Sequence, residues 1–104
     1  MEYLCYSDWY DSLNDLQKIQ IKVLDAYFSS RYNLPGTSII GEVYIEDHKT
    51  TIEIIEELQD MINLSCDVVH CYLYYKEFDY ITIDDGTIKW AIWRDINPLH
   101  VTKY

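Results

Sequence analysis

The clearest chemical pattern in this chain belongs to its carboxylates. Glu53, Glu56, Glu57 and Asp60 recur at steps of three and four, a spacing that sets side chains about 5–6 Å apart at Cβ on one helix face. No Lys or Arg stands among them, and each like-charge neighbour costs roughly 0.2–0.5 kcal/mol of helix stability. The positive end of a helix favours Glu53 and Glu56, which leaves Asp60 without that reason. Glu46 and Asp47 precede the row and Glu42 precedes them, so an acidic band from Glu42 to Asp60 is expected. Phosphates along a nucleic-acid strand are spaced on the same general scale. Such a band can therefore stand in for them in a basic groove. Tyr44, Tyr72 and Tyr74 are expected to supply anchors of the type enriched at interface centres, although tyrosines on a surface also simply cover core edges. A second acidic cluster is Glu77, Asp79, Asp84 and Asp85. By contrast Asp11, Asp15, Lys18, Lys22 and Asp25 alternate in sign at helical steps, so that face is expected to neutralise itself.

Other chemistries find thinner support. Glu46, Asp47 and His48 form a carboxylate–imidazole group that a small metal-dependent enzyme could use, although such turns are more often solvated caps. Cys5, Cys66 and Cys71 are odd in number and lack a zinc-knuckle or disulfide spacing, so reduced thiols and no structural metal are expected. His70 and Cys71, adjacent on a predicted strand, would face opposite sides and form no nucleophile pair. Walker loop, dinucleotide glycine fingerprint, nucleophile elbow and zinc-protease helix are all missing from the sequence.

Eighteen Asp and Glu against eight Lys and Arg give a formal net charge of −10, which repels nucleic acid and anionic membranes and attracts basic proteins. The plain alternative is that acidity keeps a small domain in solution, since net charges of about 2–8 are ordinary. With 104 residues, 49% of them hydrophobic, one folded domain is expected. No apolar run reaches membrane-spanning length, and Met1 to Asp11 lacks the pattern of a signal peptide, so a cytoplasmic location is expected. As a class, through no alignable motif, the chain resembles the acidic phage-encoded proteins that block restriction enzymes, CRISPR effectors or uracil-DNA glycosylase. That likeness of size, charge and compactness implies an anti-defence inhibitor whose partner is a basic nuclease or effector complex. No cofactor is expected, and the net charge leaves no direct contact with nucleic acid to expect. An immunity protein for a basic toxin nuclease needs the same charge complementarity. A homodimer or a larger stable assembly is also compatible with the composition.

Ser12 and Asp15 have the capping-box spacing, and Leu16, Ile19, Val23 and Tyr27, with Leu24 and Phe28, recur as an inward stripe. They predict a first helix from about Ser12 to Tyr32, ended by Pro35-Gly36. Alternation from Ile39 to Glu46 predicts a half-buried strand. Thr50 and Glu53 repeat the box, and Ile52, Ile55, Leu58 and Ile62 mark a second helix ending near Asn63. Val68–Tyr75, Phe78–Asp84 and Thr87–Trp93 read as strands, with Asp85-Gly86 as a two-residue type I′ turn. The expected fold is α+β in the order α-β-α-β-β-β, two helices on one face of a four-stranded antiparallel or mixed sheet. The stretch from Arg94 to Tyr104, interrupted by Pro98, has no period.

Overall fold

The computed structural model describes residues 5–95. Within them the chain is α+β, with four α-helices and two small antiparallel sheets in place of two helices on a single four-stranded sheet. Of the expected tail, Arg94 and Asp95 are described, Arg94 within a strand, and residues 96–104 lie outside the described residues.

Helix α1, Tyr6–Asp11, was not expected. It closes on Ser12, whose hydroxyl donates to the Trp9 carbonyl at 2.6 Å. The next helix, α2 (Asp15–Tyr27), is therefore capped by Asn14 and Gln17, which exchange hydrogen bonds of 2.8 and 3.0 Å. The Ser12–Asp15 box does not form. Its buried stripe is Gln20, Ile21 and Leu24, continued by Phe28 in a 3₁₀ turn (Phe28–Ser30), while Leu16 and Ile19 face solvent. Gln20 is buried because its amide oxygen accepts the Ser65 backbone N–H at 2.9 Å, which removes the cost of hiding a polar group.

Strand β1 is Arg31–Tyr32 and β2 is Ile45–Glu46, far shorter than the expected Ile39–Glu46. Helix α3, Thr51–Leu58, starts on the expected Thr50–Glu53 box, with bonds of 3.0 and 2.8 Å. It buries Ile54 and Leu58, with Ile55 and Ile62 packed beside them and Ile52 exposed.

The largest correction is Val68–Tyr75, which is not a strand but part of helix α4, Cys66–Tyr75. Ser65 caps it by accepting the Val68 N–H at 3.0 Å. Val68, Val69, Tyr72 and Leu73 all point into the core, a helical spacing that packing enforces over a weak β propensity. The helix closes without glycine. Glu77 adopts φ 66, while Phe78 N–H bonds Leu73 O at 3.0 Å and Glu77 N–H bonds Tyr74 O at 3.1 Å, the Schellman pattern. Helices α2 and α3 both pack on α4, and Trp9 of α1 stacks on Tyr75 at 5.0 Å.

Strands β3 (Tyr80–Thr82) and β4 (Ile88–Trp90) form the second sheet, pairing Ile81 with Lys89. Its turn has the expected Gly86 at φ 88, but Asp85 is not at positive φ and Ile83 N–H bonds Thr87 O at 2.9 Å. The loop is thus three residues, a type I turn closed by a left-handed glycine, and not a type I′ turn. Strand β5, Trp93–Arg94, runs between β1 and β2 and antiparallel to both.

Candidate functional site

Asp47, on the connection from β2 to α3, is the centre of a charge knot. Its carboxylate lies 3.3 Å from Arg31 Nε, 3.0 Å from Lys49 Nζ and 3.5 Å from Arg94 Nε. Lys49 also reaches Glu57 of α3 at 2.7 Å, and Glu57 accepts the Tyr27 hydroxyl at 2.7 Å. The Arg31 guanidinium lies 3.8 Å from the Tyr27 ring centre and donates to the Tyr27 carbonyl at 2.8 Å. At the near end of α3, Lys89 approaches Glu53 at 3.5 Å. These contacts draw α2, β1, α3, β4 and β5 together. The electrostatics follow from them. Burial opposes the Lys49 charge, but Glu57 and Asp47 outweigh it and hold its pKa above the ordinary lysine value. The Thr50 backbone N–H, with help from Lys89, holds Glu53 below the usual carboxylate range. Burial, then the hydrogen bond to Glu57, pushes the Tyr27 phenol well up.

The expected contrast between the two helices is therefore reversed. Glu53 and Glu57 of α3 have cationic partners from distant segments, whereas Asp11, Asp15, Lys18, Lys22 and Asp25 form no ion pair within 4.0 Å among the described residues. Lys18 instead lies over the Tyr10 ring at 5.3 Å, and Asp25 accepts the Tyr72 hydroxyl at 2.8 Å. Glu56 and Asp60 are exposed, and no cation pairs with them among the described residues. Glu46 is 74% exposed, 3.9 Å from His48 Nε2. One carboxylate oxygen of Glu42 is buried with no hydrogen-bond partner among the described residues.

The three tyrosines separate. Tyr44 stacks on Tyr32 at 4.5 Å and Tyr74 is half-exposed against Tyr75. Tyr72 is no surface anchor: it is 2% exposed, part of the core. Burial and then the Asp25 hydrogen bond drive its phenol pKa up.

Four of the seven basic residues in 5–95 (Arg31, Lys49, Lys89 and Arg94) serve the knot. Outside it these residues contain fourteen carboxylates and three lysines, Lys18, Lys22 and Lys76. No known family, curated protein or solved structure matches this chain. The chemistry must be read from its own residues.

Glu46, Asp47 and His48 do not converge as metal ligands. Asp47 is turned to its three cations, and His48 Nδ1 accepts the Ile92 N–H at 2.9 Å. His70 and Cys71 lie on α4, not on a strand, and with Tyr74 and Tyr75 line a hollow of about 300 Å³. Burial and Asp67 push the Cys71 thiol up, the opposite of an activated nucleophile. No helix among the described residues is long and apolar enough to cross a membrane.

One feature was missed by sequence reasoning. The segment expected as a half-buried strand, Ile39–Glu46, carries exposed Ile39, Ile40 and Val43, and Leu34 just before it is exposed too. Its signal was present as Ile39-Ile40-Gly41, two apolar residues before a glycine suited to a turn.

Proposed function

We propose that this chain is an acidic binding protein that occupies the basic nucleic-acid-binding surface of a partner, in the manner of a DNA or RNA mimic. The partner class we propose is a nuclease or effector complex of a defence system, of the restriction or CRISPR type. One observation carries the reading: four of the seven Lys and Arg among the described residues are spent in the knot, on Asp47 and on Glu57 and Glu53 of α3, so the rest of the described molecule is more one-sidedly negative than the net charge of −10 suggests. Asp47, Glu53 and Glu57 are held by that knot and serve the fold. Within the expected acidic band, Glu46, Glu56 and Asp60 are exposed and, among the described residues, have no ion-pair partner closer than the 3.9 Å His48–Glu46 approach, so they are the band's carboxylates free to meet a cationic groove. The metal-enzyme reading gains nothing from the geometry, because Asp47 and His48 already bond elsewhere.

The test is competition for a nuclease. The protein should displace a short labelled duplex from purified DNA-binding nucleases at about 0.1 M salt. Displacement should weaken toward about 1 M as the Debye length falls from about 10 to about 3 Å. The isolated protein should bind no duplex at either salt. Replacing Glu46, Glu56 and Asp60 by Gln, Gln and Asn should leave the melting temperature near the parent's and weaken displacement at least tenfold. Saturable duplex binding by the protein alone, or undiminished displacement by the triple variant, refutes the reading.

A further inference from the structure

Two turns of this chain share one backbone and differ in what they display. In the hairpin over residues 37–43, Ser38 N–H donates to Glu42 O at 2.8 Å, Gly41 N–H donates to Ser38 O at 2.9 Å, and Gly41 has φ 91. In the β3–β4 hairpin, Ile83 N–H donates to Thr87 O at 2.9 Å, Gly86 N–H donates to Ile83 O at 2.8 Å, and Gly86 has φ 88. Both are three-residue loops of one type. The second turn places Asp84 and Asp85 at its outer positions, polar residues that suit a turn. The first places Ile39 and Ile40 there. The backbone therefore makes no demand for apolar side chains at this tip, and nothing among the described residues covers them: Ile39 is 91% exposed and Ile40 60%. Leu34 and Val43, 65% and 66% exposed, extend the apolar character along the same segment.

The tip is held in place. Ser38 is buried and its hydroxyl accepts the Glu42 N–H at 3.1 Å. Tyr44 N–H donates to Gly36 O at 2.9 Å, and the Tyr44 ring stacks on Tyr32 with an interplanar angle of 12°. A loop fixed before binding loses little entropy on binding.

Charge selects the occupant. From residue 32 to 48 the chain has no Lys or Arg; Asp47 is taken up by the knot, which leaves Glu42 and Glu46 as the acidic residues of this segment that can face a partner. The complementary surface is apolar with a basic rim. An anionic membrane is repelled by a net charge of −10, and a second copy would bring two such charges together. We propose that the Ile39–Ile40 tip is the apolar anchor with which this chain enters an apolar cleft on a basic protein. The proposal rests on the acidic-binder reading and adds to it the point of entry.

The test uses two labelled peptides of equal positive charge, an amphipathic Leu–Lys helix and a Gly–Lys peptide without apolar side chains, titrated by fluorescence anisotropy. The variant Ile39→Ser with Ile40→Asn keeps the net charge and places turn-compatible residues at the tip. Half-burying the two Ile side chains is worth roughly ten- to hundredfold in affinity. The parent should therefore bind the Leu–Lys peptide at least tenfold more tightly than the Gly–Lys peptide. The variant should lose that margin, keep its affinity for the Gly–Lys peptide and melt within a few degrees of the parent. Equal binding of both peptides by the parent, or a margin that survives in the variant, overturns the anchor and leaves the acidic-binder reading standing. Binding of neither peptide overturns both. Sedimentation equilibrium and flotation with phosphatidylserine vesicles complete the test: self-association, or vesicle binding, abolished by the variant assigns the tip to a second copy or to a membrane and overturns the proposal.

Discussion

Replacing Asp47 with Asn should be among the most damaging single changes at the surface of this protein, although the side chain keeps its shape. The carboxylate is 17% exposed and meets three cations, of which Lys49 at 3.0 Å and Arg31 at 3.3 Å are close enough for charge-assisted hydrogen bonds. Such bonds contribute about 1.5–3 kcal/mol each when well sheltered, whereas exposed pairs contribute about 0–1 kcal/mol. Lys49 and Arg31 are 16% and 19% exposed, an intermediate case, while Arg94 at 35% and 3.5 Å adds little. The amide also leaves three cations facing one another without their shared anion. Together these effects amount to about 2–3 kcal/mol, which for a domain of this size lowers Tm by roughly 10–20 °C. The assay is a thermal melt followed by circular dichroism at neutral pH, with Glu46→Gln as the control. Glu46 is the sequence neighbour, 74% exposed, and its replacement should shift stability by no more than about 0.5 kcal/mol. If Asp47→Asn melted with its control, the knot would be ordinary solvated surface and the distinction between structural and binding carboxylates would fall with it.

Alkali should unfold the protein by a specific route. Tyr27 and Tyr72 have pKa values raised by burial and by hydrogen bonds to Glu57 and Asp25. Their stabilisation is therefore complete below the unfolded phenol value of about 10 and is lost as pH rises above it toward the folded values. A titration monitored at the phenolate absorbance should show these two phenols ionising only together with loss of the far-ultraviolet signal; their ionisation in an intact fold would disprove the assignment. Two of the three left-handed positions among the described residues, Gly86 and Glu77, should respond in opposite directions. Gly86 has open space for a side chain but φ 88, so Gly86→Val should cost about 1–2 kcal/mol through backbone strain alone. Glu77→Gly at φ 66 should be neutral or stabilising by up to about 1 kcal/mol, and chemical denaturation of both variants decides the point.

Features that close within a few residues were legible in the sequence. The Thr50–Glu53 box starts α3 because its two hydrogen bonds link positions three apart, and Gly86 takes the left-handed turn position because only glycine does so without strain. The acidic excess is a sum over side chains and needs no fold. Helix α4 was not legible. Its β-branched and aromatic residues favour a strand locally, and its end is marked by Glu77 where a glycine would have announced a cap. Its helical state comes from the burial of Val68, Val69, Tyr72 and Leu73 between partners distant in the chain. The same holds for the carboxylates. Spacing along α3 suggested a bare acidic row, yet Lys49 and Lys89 reach Glu57 and Glu53 because the packing of β4 and the β2–α3 connection brings them there. Charge pattern is local and can be read from neighbours. Charge pairing depends on which segments the core brings together, and no local spacing encodes that.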